Sequence, residues 1–123
     1  MDAQTSATTA GTAVGYVDIY LLPVPEQNVD AYREQATTFG SVAKEHGALS
    51  YREFLGDDLD EGMKAEEGRV LTSAVVEFTS RAHRDEVMKK VLEDPRVTAL
   101  VEGEELADMG NMRYGGFKTF VDP

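Results

Sequence analysis

Residues 16–24 read YVDIYLLPV, and the way this run alternates decides the fold. β-Branched and aromatic side chains favour a strand, and the prolines at 23 and 25 suit its exit. Successive strand residues point to opposite faces, so Val17, Ile19 and Leu21 share one face while Tyr16, Asp18, Tyr20 and Leu22 share the other. Neither half is simply polar. Residues 70–78 repeat the pattern, with Thr72, Ala74, Val76 and Phe78 opposed to Leu71, Ser73, Val75 and Glu77. A sheet with helices on one side only usually shows water a charged second face. Two apolar-rich faces therefore predict that each is covered; if the mixed face with Tyr16, Asp18 and Tyr20 is the one the helices leave, it lines the space between two sheets.

Outward from this run, Asn28 is placed to cap a helix whose apolar positions Val29, Tyr32, Ala36, Phe39 and Ala43 recur at helical spacing, and Gly47 supplies its left-handed stop. Residues 49–55 form a second strand. Residues 56–69 hold six acids and three glycines, a composition no core accommodates, so they form a surface loop. After the strand 70–78, Ser80 caps a helix with Val87, Met88, Val91 and Leu92 on one side, Asp94 and Pro95 open a further short helix, and residues 114–121 form the last strand. The order βαββαβ is that of a ferredoxin-like α+β sandwich: an antiparallel four-stranded sheet with two long helices on one face. Covering a few hundred Å² of the other face at roughly 25 cal/mol per Å² contributes several kcal/mol, which makes a homodimer paired through the sheet face the expected assembly.

The chain has 123 residues and a mass of 13.5 kDa, enough for one domain over residues 16–123 after a flexible tail at 1–15. Twelve Lys and Arg against 23 Asp and Glu leave a net charge of −11, which repels nucleic acid and anionic membrane surfaces. There is no cysteine, hence no thiol nucleophile, thiolate metal site or disulfide. Residues 1–15 lack the basic and apolar regions of an export signal, and no stretch approaches the roughly 20 apolar residues of a membrane span. A cytoplasmic protein is expected.

No complete catalytic motif is present, so catalytic residues remain unassigned. Tyr16, Asp18 and Tyr20 project from one strand face, joined by Tyr114 and Lys118 from the last strand. They either line a ligand pocket, where a desolvated Asp18 could act as a base, or pair with one another and with a partner subunit. Tyr51, Arg52, Glu53 and Glu77 are the other polar groups on strands, and an ion pair at a sheet edge accounts for Arg and Glu there. His46 precedes Gly47 and complements the helix dipole, whereas His83, in the opening turns of the second helix, is a weak candidate for a base. The acidic loop fails the EF-hand template: counted from Asp57, Leu59 stands at the third position and Gly68 where a bidentate glutamate belongs. No metal or cofactor is expected. Gly115 and Gly116 lie in a strand pattern and permit a bulge or a close approach of backbone.

Several short motifs fall in one order: Tyr16-Val17-Asp18, Val24-Pro25, Asp30-Ala31-Tyr32-Arg33-Glu34, Gly47-Ala48, Gly56-Asp57-Asp58, Lys64-Ala65-Glu66-Glu67, Arg84-Asp85, Asp94-Pro95-Arg96, and Met112 with Tyr114-Gly115-Gly116-Phe117. In this the chain resembles the YbaA-like proteins, the bacterial family of domain of unknown function 1428. The resemblance spans nearly everything after the tail, while the loop 56–69 and the tail itself depart from the family pattern. It implies a subunit of the dimeric α/β barrel superfamily. No activity is established for the family, and the leading reading is a protein of unassigned activity whose functional space is a pocket for a small organic ligand between the sheet and its covering elements. The enzyme alternative, by analogy with other dimeric α/β barrels, is a cofactor-independent monooxygenase or isomerase acting on a small aromatic or quinone-like compound.

Overall fold

The computed structural model describes residues 13–123. Its elements are β1 (Tyr16–Pro25), α1 (Val29–Glu45), β2 (Ser50–Leu55), β3 (Arg69–Phe78), α2 (Arg81–Glu93), α3 (Pro95–Glu102) and β4 (Arg113–Lys118), with single 3-10 turns at Glu26–Asn28, Glu61–Met63 and Met109–Asn111. All strand pairs are antiparallel and the sheet order is β2-β3-β1-β4, the ferredoxin-like arrangement expected from the element order. No helix among the described residues is long and apolar enough to cross a membrane.

The helices pack on the face that carries Tyr16, Asp18, Tyr20, Leu22 and Val24, so the mixed face is not the one left for a second sheet. Val76 and Phe78 of β3 have no exposed surface and meet Val42 and Ala43 of α1, Val87 and Val91 of α2 and Val97 of α3. A second cluster joins Leu22 and Val24 to Ala107 at the other end of the sheet. The mixed face can turn inward because the helices bring partners for its polar groups, whereas the Val17, Ile19 and Leu21 face has none to offer. That second face, with Leu71 and Val75 of β3, Phe54 of β2 and Phe117 of β4, is covered by no described element. Phe54 and Phe117 are half exposed, at 50% and 54%.

Local chemistry explains most boundaries. Ser80 Oγ accepts from the His83 N–H at 3.0 Å and Asp94 Oδ1 from the Arg96 N–H at 2.9 Å, so α2 and α3 are capped by the residues the sequence marks. Gly47 turns with φ +119°, where a side chain would be strained. Asn28 occupies the N-cap of α1 but its side chain does not cap the helix; Nδ2 donates instead to the Leu106 carbonyl at 3.0 Å, tying α1 to the segment after α3. The last strand ends at Lys118 rather than at 121; just beyond it the Thr119 N–H still donates to the Gly15 carbonyl and its hydroxyl to the Val14 carbonyl. The chain is thus bonded to the sheet from Val14 onward, and residues 1–12 of the expected tail lie outside the described residues. Beyond Lys118, Phe120 and Val121 are exposed.

Candidate functional site

Four residues aligned across the sheet create a hollow under the helices. Glu53 of β2 stands opposite Ala74 of β3, Ala74 opposite Tyr20 of β1, and Tyr20 opposite Tyr114 of β4. Alanine in the middle of this row leaves space that the two core clusters on either side do not fill. The result is a cleft of about 670 Å³ between the sheet, α1, α3 and the segment 103–112, walled by Phe39, Met88, Val97, Leu100, Leu106 and Met112. Tyr20 and Tyr114 stack at 5.5 Å with an interplanar angle of 15°, and Phe39 leans on Tyr51 at 5.7 Å.

One end of the cleft is polar. The Glu53 carboxylate receives two phenolic protons, from Tyr32 Oη to Oε1 at 2.7 Å and from Tyr51 Oη to Oε2. Tyr32 arrives from α1, whose apolar stripe aims it at the sheet, and its hydroxyl must find a partner there. Burial, reinforced by the neighbouring Glu53 charge, holds both phenols well above the ordinary tyrosine range. Tyr20 is pushed up to about 12, first by burial and then by Asp18. Gly40 admits the Tyr51 ring against α1, since a Cβ there would stand 2.4 Å from that ring.

The second polar group of this face is closed. Asp18 is 2% exposed, and Arg84 from α2 reaches its Oδ1 at 2.6 Å while lying 4.9 Å over the Tyr16 ring. Arg84 also bonds Asp85 at 2.8 Å and touches Tyr16 Oη at 3.4 Å. Burial raises the Asp18 carboxyl above the usual aspartate range, against the opposing pull of Arg84. Gly116, opposite Asp18, lets the Tyr16 phenol cross β4: a Cβ at that position would lie 2.2 Å from Tyr16 Oη.

The five residues singled out on the first and last strands do share one face, but they separate functionally. Tyr20 and Tyr114 line the cleft, Tyr16 and Asp18 are engaged with Arg84, and Lys118 stands exposed at the end of β4, opposite Tyr16 and bonded to neither group. The carboxylate inside the cleft is Glu53. It does not pair with Arg52, since neighbouring strand residues face opposite ways; Arg52 lies 3.7 Å from Glu77 on the uncovered face. His83 accepts the Thr79 N–H on Nδ1 at 3.0 Å and sets its ring edge-on to Phe78, away from the cleft. His46 bonds Asp94 Oδ2 at 3.0 Å, and Arg96 clamps Asp94 from the other side. The pairing of Arg84 with Asp18 and the convergence of Tyr32 on Glu53 and Tyr51 are what alternation and motif spacing do not disclose, although Tyr51 and Glu53 stand out as polar strand residues. The one sequence signal was an aspartate within an apolar strand, which requires a cation from elsewhere.

Residues 15–108 match the family described as Protein of unknown function (DUF1428). The chain is 34% identical over 115 residues to the uncharacterized protein YbaA of Escherichia coli strain K12, a match covering 87% of this chain and 97% of YbaA. Among solved structures it is similar to a dimeric ferredoxin-like protein from an uncultured marine organism, with TM-score 0.59, 8% identity and coverage of 90% of this chain and 92% of that one. It is also similar to a variant of SnoaB, a cofactor-independent oxygenase from Streptomyces nogalater, with TM-score 0.50, 17% identity and coverage of 89% and 97%. At these identities the structural likenesses establish the fold.

Proposed function

We propose that this chain, which belongs to the DUF1428 family, acts in the cytoplasm as a homodimer that binds a small, largely apolar organic molecule in the cleft of each subunit. The observation that carries this reading is the 670 Å³ hollow floored by Glu53, Ala74, Tyr20 and Tyr114. Ligand sites typically span roughly 300–1,000 Å³ of mostly apolar wall with a few convergent polar groups. Ala74, the smallest side chain of that row, keeps the floor low between Glu53 and Tyr20.

The dimer is supported by the uncovered face, where Phe54, Phe117, Val17, Ile19 and Val75 present apolar surface without a described covering element. Pairing there leaves both clefts open, because they lie on the opposite side of each sheet. Net charge −11 turns nucleic acid away as a partner. Binding fits better than catalysis at Asp18, since that carboxylate is closed in by Arg84 and does not line the cleft.

A thermal-shift screen of the full chain against small aromatic and aliphatic metabolites tests the reading. A ligand present at a hundred times its Kd adds about 2.7 kcal/mol of stability, a rise of several degrees in Tm. Ala74→Leu, which fills the floor of the cleft, should abolish the shift. Shifts that survive this substitution would place binding elsewhere.

A further inference from the structure

Of the charged groups lining the cleft, three are carboxylates, Glu53 inside and the exposed Glu104 and Glu105 at its edge, and none is a lysine, arginine or histidine. The twelve Lys and Arg of the chain all lie outside this lining, with Arg33, Lys44 and Arg52 on the neighbouring pocket that shares Tyr32, Tyr51 and Glu53. The polar end is also one-sided in hydrogen bonding. A phenol has one proton and two lone pairs. Tyr32 and Tyr51 both give their proton to Glu53, so towards the cleft they offer lone pairs only, as does the carboxylate. One N–H of Gln35 donates to the Glu104 carbonyl at 3.4 Å, at the edge of the cleft. Its second N–H and the hydroxyls of Tyr20 and Tyr114, at the other end of the floor, have no partner among the described residues and are the donors that remain. A carboxylate or phosphate entering the deep end would meet negative charge and acceptors, and a quinone carbonyl would find no donor there.

A protonated amine meets the opposite reception. Its N–H groups are donors, its charge complements Glu53, and the rings of Tyr51 and Phe39, which line the same cleft, suit a neighbouring cation. We propose that the ligand of this cleft is an organic cation, an ammonium group carried on an apolar or aromatic body, with the Tyr32–Glu53–Tyr51 group as its receptor. The assignment rests on the ligand-binding reading given above and narrows it to one chemical class.

Isothermal titration of the full chain with 4-phenylbutylamine, 4-phenylbutan-1-ol and 4-phenylbutanoate, which share a body and differ in the head group, tests it without needing a variant. The amine should bind at least about tenfold more tightly than the alcohol, as expected for one charge-assisted hydrogen bond, and the carboxylate more weakly than either. Glu53→Gln keeps the size of the side chain and should bring the amine to within about threefold of the alcohol. A carboxylate that binds as tightly as the amine, or an amine preference that persists in Glu53→Gln, would overturn the assignment while leaving the cleft a ligand site. If none of the three bodies binds, the ligand-binding reading itself falls and the assignment with it.

Discussion

Arg84 is the most exposed test of the account, because it is asked to neutralise a carboxylate that has almost no contact with water. Arg84→Met keeps the length and the apolar stem of the side chain but removes the guanidinium that stands 2.6 Å from Asp18 and 4.9 Å over Tyr16. Breaking one side of a buried ion pair costs about 3–5 kcal/mol. Arg84 keeps some contact with water, so the lower end, about 3 kcal/mol, is expected. For a domain of this size that corresponds to a fall in Tm of roughly 10 °C.

The pH dependence makes the prediction specific. Burial already raises the Asp18 carboxyl in the folded protein, so its charge opposes folding, by an amount that is absent below the ordinary aspartate range and grows as pH rises through the folded value. Without Arg84 to pull it back, the folded value climbs further. The deficit of Arg84→Met against wild type should therefore be largest near pH 7 and shrink as pH falls towards about 4. Adding Asp18→Asn should restore much of the loss at pH 7, since no charge is then stranded. Urea denaturation at several pH values reads all of this. A loss under about 1 kcal/mol at pH 7, near the net value of an ordinary hydrogen bond, or a deficit that widens on acidification, would refute the reasoning.

Gly116→Ala should lower Tm by several degrees, because its Cβ would sit 2.2 Å from Tyr16 Oη, whereas Gly115→Ala, whose nearest neighbour is Phe117 at 3.6 Å, should be tolerated; paired thermal melts decide it. Phe117→Glu puts a charge on the uncovered face and should convert the proposed dimer into a monomer in sedimentation velocity at micromolar concentration, with cleft binding retained. Asp94 is held well below the usual aspartate range by bonds from Arg96 and then from His46. Its contribution is therefore present above that range and lost as pH falls through the folded value, so the lower Tm expected for Asp94→Asn at pH 7 should converge on wild type as the solution is acidified.

The order of elements is legible because each boundary carries local chemistry: Gly47 ends α1, Ser80 and Asp94 start α2 and α3, and prolines close β1. Alternation likewise sorts Tyr16, Asp18 and Tyr20 from Val17, Ile19 and Leu21. It does not say which set the helices take. That choice depends on pairs far apart in sequence, Asp18 with Arg84 and Tyr32 with Glu53, whose separations of 66 and 21 residues follow no period. Arg84 sits in a run of charged residues that reads as a solvated helix face, and Tyr32 reads as one more apolar position of α1. Asn28 shows the same limit at a helix end: a residue well suited to capping is drawn instead to the Leu106 carbonyl 78 residues away. The cleft was not legible for a related reason, since it depends on Ala74 falling in register between Glu53 and Tyr20, and register is set by the pairing of three strands.

Native mass spectrometry of the full chain with an arylalkylamine in excess reads assembly and occupancy together. A species of about 27 kDa, twice the 13.5 kDa chain mass, carrying two amines and losing them in Ala74→Leu, is the predicted result. A 13.5 kDa monomer, or a dimer that remains empty at every amine concentration, would contradict the account.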